Sequence, residues 1–447
     1  MRHLQLALLL VACTAAIAAV ATAETTDNDY WNQLRGPSGD GNSPATNLPV
    51  DFGESKSVAW KTAIHDEGWS SPVVWGDQVW LTTAREDGSE LFAIAVDLAS
   101  GEVIHDIKVF DVAKPQAEWG GQNTHATPTP IVEEGRIYAH FGSYGTAALD
   151  TETGEKLWER RDLNCDHRVR PASSPIIDGD SLFLNYDGVD AQFVAALDKN
   201  TGATLWLKNR EVESDFVAKL KAQGVKDVDK VLKQKPSDNR KSYATSAIIE
   251  HEGRRQLISP GAEVTFSYDP ETGEELWRVV HEGWGWNVAC RPIYQDGLVY
   301  LTQGNSRRLV AVRPSGSGDV TATHIAWSTT RGAPEISSPL IVDDLLFMVS
   351  DGGVMTSLDA KSGEEVWKAR LPGAGSSKAA TYWASPVHAD GKIYLTGIGG
   401  TVTVVSAARE FELLAENEFD ARFTAGPAIA GDAILLRSGT HLYRVSR

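Results

Sequence analysis

Nine residues with aromatic, cationic, anionic or imidazole side chains lie close to recurring proline positions along the chain. Mixtures of aromatic rings and charges are typical of recognition surfaces. The candidate binding residues are Trp69, His125, Arg170, Tyr243, Trp286, Arg291, Glu335, Trp383 and Arg422. Trp286 belongs to the unusual run Gly283-Trp284-Gly285-Trp286-Asn287. The alternative is that these side chains satisfy one another around a water-filled channel.

Catalytic signatures are missing from the sequence. It contains no P-loop, no His-Glu-x-x-His, no Gly-x-Ser-x-Gly and no kinase motif set. Cys165 and Cys290 stand in different repeats and outside metal-ligand spacing, so no metal site is predicted. Whether they form a disulfide stays open. His167, beside Asp166, is the best isolated general-base candidate, and we expect it in a solvated loop.

These residues would be positioned by a repeat with eight copies. Each copy opens with a small residue, usually followed by proline, and continues into a β-branched strand and an Asp/Gly turn. The openings are Ser71-Pro72, Thr129-Pro130, Ser174-Pro175, Ala247, Arg291-Pro292, Ser338-Pro339, Ser385-Pro386 and Gly426-Pro427. Pro292, Pro339 and Pro386 are 47 residues apart. A period in the forties predicts four-stranded propeller blades. In a propeller the loops that enter the inner strands ring one mouth of the central channel, and we expect the nine candidate binding residues at that mouth.

The second half of several repeats has an Asp-x-x-Thr-Gly turn and then a tryptophan, as in Asp150, Gly154 and Trp158. The glycine suits a turn position with positive φ. We expect the tryptophan on the outermost strand, docked between neighbouring blades. The strand at 58–62 has no inner strands before it, so it is predicted to complete the last blade beside 441–444.

The sequence therefore predicts an all-β fold: an eight-bladed β-propeller of four-stranded antiparallel blades, closed by an N-terminal strand. The repeat between Pro175 and Ala247 is too long, and the excess at about 211–240 has helix-like apolar spacing. We predict two short amphipathic helices on the rim, either as decoration or as a partner-docking element. The predicted organisation is a signal peptide at 1–23, a leader at 24–55 and the propeller at 56–447.

Charge and the N-terminus bear on partners and location. The formal net charge of −18 disfavours nucleic acid as a partner. An apolar run at 4–20 follows Arg2 and precedes Ala21-Thr22-Ala23, which predicts export to the periplasm or the extracellular space. An alternative is lipidation of Cys13, which would anchor the protein to a membrane face. No later segment has the apolar length of a transmembrane helix.

The Leu-Asp-x-x-Thr-Gly-x-x-x-Trp turns and Ser-Pro-x-x-x-x-Gly openings resemble the pyrroloquinoline-quinone-like repeat β-propeller family. The likeness covers about residues 56–447. It is similar in style to the propellers of outer-membrane protein assembly and to non-catalytic exported bacterial propellers. The leader run 31–37, with Gly39 and Gly41, looks like that of the second group.

The resemblance implies a protein-interaction scaffold or binding module of the cell envelope, with envelope or outer-membrane proteins as partners. One alternative is a small-molecule or glycan binder. Another is a quinone-dependent dehydrogenase, for which the family implies a quinone held between a tryptophan and a vicinal disulfide, with calcium and a catalytic aspartate. This chain has no adjacent cysteines, so we expect no quinone cofactor and assign no catalytic residue.

Overall fold

The computed structural model describes residues 30–116, 123–210, 215–234, 240–281, 287–372 and 382–447. These residues form eight sheets arranged as propeller blades. The first two strands along the chain are β1 (Asn42–Ser43) and β2 (Val58–Ala63). Neither strand belongs to the blade that follows it, because β1 joins the seventh sheet and β2 the eighth.

Blades 1 to 4 are built from successive antiparallel strands. Blade 1 consists of β3 (Val73–Trp75), β4 (Gln78–Ala84), β5 (Glu90–Asp97) and β6 (Val103–Asp111). Blade 2 consists of β7 (Ile131–Glu133), β8 (Arg136–His140), β9 (Thr146–Asp150) and β10 (Lys156–Arg160). Blade 3 consists of β11 (Ile176–Asp178), β12 (Ser181–Asp187), β13 (Gln192–Asp198) and β14 (Thr204–Asn209). Blade 4 consists of β15 (Ala247–His251), β16 (Arg254–Pro260), β17 (Val264–Tyr268) and β18 (Glu275–Val280).

Blades 5 to 8 repeat the same order of strands, with β1 added to the inner edge of blade 7 and β2 supplying the outer strand of blade 8. Blade 5 consists of β19 (Ile293–Gln295), β20 (Leu298–Thr302), β21 (Leu309–Val312) and β23 (Ile325–Thr329), while β22 (Gly318–Asp319) extends blade 4. Blade 6 consists of β24 (Leu340–Val342), β25 (Leu345–Val349), β26 (Val354–Asp359) and β27 (Glu365–Arg370). Blade 7 consists of β28 (Val387–Ala389), β29 (Lys392–Thr396), β30 (Thr401–Ser406) and β31 (Leu413–Glu418). Blade 8 consists of β32 (Ala428–Ala430), β33 (Ala433–Arg437), β34 (His441–Val445) and β2.

The ring closes as predicted. Strand β2 pairs antiparallel with β34, with Thr62 opposite Leu442. The Trp60 indole packs on Gly101 of blade 1 and donates a hydrogen bond from Nε1 to the carbonyl of Leu98 at 3.0 Å. One strand from the beginning of the propeller therefore holds its last blade and contacts its first.

The hydrophobic core lies between blades. One cluster joins Ala95 of β5 to Leu149 of β9, and another joins Ile94 of β5 to Leu442 of β34. A single blade cannot bury both of its apolar faces, so stacking in a closed ring supplies the burial that drives folding.

The tryptophans of the repeat dock between blades where the next blade has the Asp-x-x-Thr-Gly turn. The Trp158 Nε1 donates to the carbonyl of Lys199 at 2.8 Å and its ring packs on Gly202, whose φ is 71°. Trp277 differs, because β22 pairs alongside it and makes β18 an interior strand. Its Nε1 donates instead to Gln256 Oε1 of its own blade at 2.7 Å. The prediction of an outermost tryptophan is wrong at this one position.

The helical insertion is present. Helix α1 (Asp215–Ala222) and helix α2 (Val228–Gln234) lie within the predicted segment, and Arg240 after them donates to Gln192 Oε1 of β13 at 2.8 Å. A short helix α3 (Thr321–His324) precedes β23. Among the described residues, no helix has the length and apolar character needed to cross a membrane.

The leader occupies the central channel. The carbonyl of Trp31 accepts a hydrogen bond from the Val74 N–H at 2.8 Å, and the carbonyl of Gly41 accepts one from the His388 N–H at 2.8 Å. Both donors lie on innermost strands, whose free edges face the axis of the ring. Strand β1 adds a parallel pair with β28. The leader thus supplies hydrogen-bond partners to backbone groups at the edges of the innermost strands.

Candidate functional site

A cavity of about 190 Å³ lies at the mouth of the ring, above the leader. Its wall includes residues that precede the inner strands, and Leu34 and Arg35 of the leader also line it. Because the leader bonds to the inner strands deeper in the channel, it forms the floor. One water needs roughly 10–15 Å³ of such volume. The cavity can therefore admit a ligand group.

A belt of hydroxyl groups encircles the cavity wall. At six of the eight repeats the residue at this position has a hydroxyl, and in blade 4 it is Thr245, two residues before Ala247. Five of these hydroxyls accept a hydrogen bond from the backbone N–H of the equivalent residue one blade earlier. The distances are 2.9 Å from Ser71 to Thr129, from Thr129 to Ser174 and from Ser174 to Thr245, 3.0 Å from Arg291 to Ser338, and 2.9 Å from Ser338 to Ser385. This explains the small polar residue of the repeat: its hydroxyl joins one blade to the next.

Two blades lack a hydroxyl at this belt position. Arg291 opens blade 5 and Gly426 opens blade 8. Both residues line the cavity. The six hydroxyl-bearing residues of the belt line it too, so what distinguishes Arg291 is that it brings a charge into an otherwise neutral belt.

Five of the nine predicted binding residues line the cavity: Trp69, Tyr243, Arg291, Glu335 and Trp383. The ring centroids of Trp69 and Trp383 are 6.1 Å apart at an interplanar angle of 52°. They come from opposite ends of the described propeller sequence and meet because the ring is closed. Together they give the cavity an aromatic wall.

The other predicted residues lie elsewhere. His125 is buried and packs against Gly88 and Tyr144. Arg170 donates from Nη1 to the carbonyl of Asn123 at 3.0 Å, which ties loops together outside the cavity. Arg422 places its guanidinium carbon 5.5 Å from the Trp69 ring centroid, as a cation–π neighbour of the aromatic wall. Trp286 lies outside the described residues.

Glu335 is held at the cavity wall by two donors. The Asn287 Nδ2 donates to its Oε1 at 3.0 Å, and the Arg307 Nη2 donates to its Oε2 at 3.2 Å. Nearby Asp351 is partly buried, and burial together with the Glu335 charge raises the pKa of Asp351. This side of the cavity therefore carries acidic groups whose charge is partly matched by Arg307.

Arg35 is a site residue that the sequence analysis did not identify. It stands among Gly36, Gly39 and Gly41, which all have positive φ. A Cβ at Gly39 would lie 2.3 Å from the Arg291 guanidinium carbon, so only glycine allows this close approach. The three glycines within residues 36–41 were the sequence signal that this part of the leader packs closely against the rest of the protein.

The expectation of a solvated His167 is wrong. The side chain is buried, and its Nε2 accepts a hydrogen bond from the Ser143 N–H at 3.1 Å. Burial, together with the charge of Lys241, lowers the pKa of His167 well below its usual value. The loop that carries it folds inward between blades 2 and 3, against Ser143 and Tyr186.

Both cysteines of the described residues are free and buried. Cys290 lies close to the cavity, and its thiol donates to the carbonyl of Ser337 at 3.3 Å. Burial raises the pKa of Cys290 to about 12, so the thiol stays protonated at neutral pH. Within the described ranges, no group of three or more His, Cys, Asp or Glu side chains could hold a metal ion.

Comparisons with known proteins place the chain among quinoprotein-like propellers. The sequence profile of the family described as outer membrane protein assembly factor BamB matches residues 57–232 and 190–447. The chain is 24% identical over 285 residues to the quinoprotein ethanol dehydrogenase of Pseudomonas aeruginosa, covering 63% of this chain and 38% of the enzyme. It is 22% identical over 283 residues to outer membrane protein assembly factor BamB of Shewanella oneidensis, covering 57% and 60%. The chain spans less than two thirds of the length of either relative.

Solved structures agree on the architecture. A europium-containing methanol dehydrogenase superposes with a TM-score of 0.67 at 11% identity, covering 94% of this chain and 98% of that one. BamB from Moraxella catarrhalis superposes with a TM-score of 0.58 at 14% identity, covering 87% and 99%. At these identities the likeness establishes the fold alone.

Proposed function

Because the chain belongs to the family described as outer membrane protein assembly factor BamB, we propose that it is an exported binding module of the cell envelope. In this proposal the cavity at the mouth of the ring captures a segment of a protein partner. The partner belongs to the outer membrane or to the machinery that assembles it. The chain acts by holding that segment, with no bond made or broken.

The observation that carries this proposal is the closed floor of the cavity. The leader crosses the channel beneath the cavity, where its carbonyls accept hydrogen bonds from the inner strands, and Leu34 and Arg35 line the cavity from that side. A partner segment would therefore enter from the mouth. Its wall combines the Trp69 and Trp383 rings with charged side chains. Aromatic anchors with polar neighbours are the usual composition of a protein-binding hot spot.

The dehydrogenase relatives raise the alternative of a quinone cofactor, and the residues present do not fit it. The resemblance implies a vicinal disulfide beneath the quinone, whereas Cys290 stands alone beside the cavity as a buried thiol. The described residues also offer no cluster of metal ligands. We therefore derive no step through a quinone.

The proposal is tested by replacing Trp69 and Trp383 together with alanine in the full-length protein. The double variant and the wild type are immobilised and exposed to solubilised cell envelope, and retained proteins are identified by mass spectrometry. We expect a specific outer-membrane or assembly protein on the wild type and at least tenfold less of it on the variant. The loss follows because truncating aromatic anchors removes the largest part of the contact energy.

A matched control replaces Leu205 and Leu207 with alanine. These are exposed apolar side chains on the outer strand β14, away from the mouth. The control should retain the partner fully, and thermal melting should show that both variants fold. Equal retention by the aromatic double variant, or retention of glycans and no protein, would contradict the proposal.

A further inference from the structure

The cavity floor carries an arginine whose partners are neutral backbone oxygens. Arg35 is 3% exposed. Its Nη2 donates to the carbonyls of Pro339 at 2.7 Å and Asp40 at 2.5 Å, and its Nη1 lies 3.4 Å from the carbonyl of Ser338. Each bond orients the guanidinium, and none supplies a negative charge.

A second arginine in the same cavity is held in the same way. Arg291 is 5% exposed, and its Nη1 donates to the carbonyl of Leu34 at 2.6 Å. Its Nη2 lies 3.3 Å from Gln33 Oε1. Among the described residues, no carboxylate comes within ion-pair distance of either Arg35 or Arg291. Both guanidinium groups are thus held by neutral oxygens, those of the leader and, for Arg35, also those of Ser338 and Pro339.

Both side chains keep their charge. Burial lowers the pKa of Arg35 and of Arg291 to about 10, and for Arg291 the Arg35 charge adds to the effect. At neutral pH the floor therefore has two positive charges. A buried charge that no carboxylate contacts is costly, and a ligand anion in contact with it would reduce that cost.

Each guanidinium also has a hydrogen-bond donor to spare. The Nε atoms of Arg35 and Arg291 are buried and have no acceptor. Arginine recognises carboxylates through two parallel N–H groups. Arg35 and Arg291 both line the cavity, so an anion that enters it meets two charged guanidinium groups that each have an unused N–H donor.

The surrounding charges favour a monoanion. The Asp40 carboxylate raises the pKa of both arginines from a distance, although its Oδ1 accepts from the Asn42 N–H at 2.9 Å. Two cations and one nearby anion leave about one positive charge in excess. Glu335 on the cavity wall would repel a phosphate dianion more than a carboxylate.

The cavity wall offers an apolar contact surface to a ligand. Trp69, Trp383 and Tyr243 line the same cavity as the two arginines. A ligand that fills both halves has a carboxylate at one end and an apolar or aromatic group next to it. The C-terminal residue of a protein chain has this composition, and capture of a C-terminal carboxylate is an established mode of peptide recognition.

We propose that the cavity binds the C-terminal carboxylate of a partner protein whose last residue is apolar or aromatic, with Arg35 and Arg291 holding the carboxylate. This inference rests on the proposed function, because it names the part of the partner that enters the mouth. A small free carboxylic acid would satisfy the same chemistry and is separated from a protein terminus by the experiment.

The test is calorimetric titration of the full-length protein with a short peptide ending in Ala-Ala-Phe. The same peptide with a C-terminal amide, free 3-phenylpropionate and inorganic phosphate are titrated in parallel. We expect the acid peptide to bind at least tenfold more tightly than the amide, and phosphate not to compete. We expect phenylpropionate to bind more weakly than the peptide, because it lacks the backbone that extends toward the rim.

Two variants complete the design. Arg291→Gln should abolish the preference for the acid over the amide. Arg437→Gln is the matched control, because Arg437 is also buried and bound only to Ser70 and Thr82 oxygens but does not line the cavity. It should lower the melting temperature and keep the preference. The comparison of the acid and amide peptides uses the wild-type protein, so it tests the proposal even if a variant fails to fold.

Equal affinity for acid and amide would overturn the carboxylate site. Phenylpropionate binding as tightly as the peptide would overturn the protein terminus as its source. Loss of partner capture in the Trp69 and Trp383 double variant, together with equal binding of acid and amide peptides, would overturn this inference alone. Retained capture in that double variant would instead count against the proposed function.

Discussion

Two regions of the propeller bury arginine in different electrostatic surroundings. Arg210, at the end of blade 3, donates from Nη2 to Asp187 Oδ2 at 2.6 Å, and both side chains are at most 1% exposed. Arg291, in the cavity, has only the oxygens of Leu34 and Gln33 as acceptors. The first arginine is paired with a carboxylate within the fold, and the second has only neutral acceptors.

The neighbours of the two arginines show the same contrast. Arg210 also donates from Nη1 to Ser259 Oγ of blade 4 at 3.0 Å, so the pair joins two blades. Arg291 joins the ring to the leader, at a belt position where the equivalent residue of most blades has a hydroxyl. Arg210 therefore belongs to the interface between blades. Arg291 departs from the repeat, as side chains with a binding role commonly do.

The largest expected effect comes from breaking the paired arginine. Asp187→Ala leaves Arg210 buried without its counter-charge, and it should lower the free energy of unfolding by about 3–5 kcal/mol. Urea unfolding followed by circular dichroism measures the loss. Ligand binding to the cavity should be unchanged in the fraction that stays folded.

A second variant separates charge from packing in this region. Asp187→Leu combined with Arg210→Met removes both charges and keeps an apolar filling, and such replacements are often neutral or stabilising. The double variant should recover most of the stability lost in Asp187→Ala. If it is as unstable as the single variant, packing and not charge governs this region, and the contrast with the cavity fails.

The cavity arginine should be less important for stability. Arg291→Met leaves the Leu34 carbonyl and Gln33 Oε1 without their donor, which costs about 1–3 kcal/mol. Removal of the repulsion between Arg35 and Arg291 offsets part of that cost. The same urea titration should therefore show a smaller loss than for Asp187→Ala. A loss of equal size would indicate that Arg291 is a structural residue and would weaken its assignment to a ligand.

The sequence predicts the propeller well, because its signals are local and repeated. The turn at Asp150 and Thr153 shows how: the Asp150 Oδ1 accepts from the Thr153 N–H at 2.8 Å and from its hydroxyl at 3.1 Å. Gly154 follows with a φ of 74°. Such turns set the spacing of the blades without any long-range contact. The closing pair of β2 and β34 was predictable because the strand at 58–62 has no inner strands before it and the last repeat has no outer strand of its own.

The cavity was only partly predictable. Trp69 and Trp383 could be assigned to the mouth because both precede inner strands, and the structure brings their rings together. Arg35 could not, because its position depends on the path of a non-repeating leader through the channel. The prediction of an exposed His167 was wrong for a related reason. The sequence does not show that the Ser143 N–H, from another part of the chain, donates to the His167 side chain and allows it to be buried.

The smallest expected effect is a difference in pH dependence between the two regions. Burial raises the pKa of Asp187 from 3.8 to about 6, against the opposing charges of Arg210 and Lys241. Between about pH 6 and pH 4 the folded protein therefore holds a proton that the unfolded chain releases. The extra stability that this protonation adds is fully present below pH 4 and is lost as the pH rises through 6, where the ion pair with Arg210 remains. Arg35 and Arg291, with pKa values of about 10, do not titrate in this window.

Asp187→Asn cannot titrate, so the comparison with wild type isolates this effect. As the pH rises from 4 to 6, wild type should lose stability relative to Asp187→Asn by up to about 1 kcal/mol per pH unit, below the limit of about 1.36 kcal/mol set by one proton. The difference between wild type and Arg291→Met should stay constant over the same range. Urea titrations at pH 4, 5, 6 and 7 measure both. A flat difference for Asp187→Asn, or a slope for Arg291→Met, would show that the two arginines do not differ in the way their surroundings indicate.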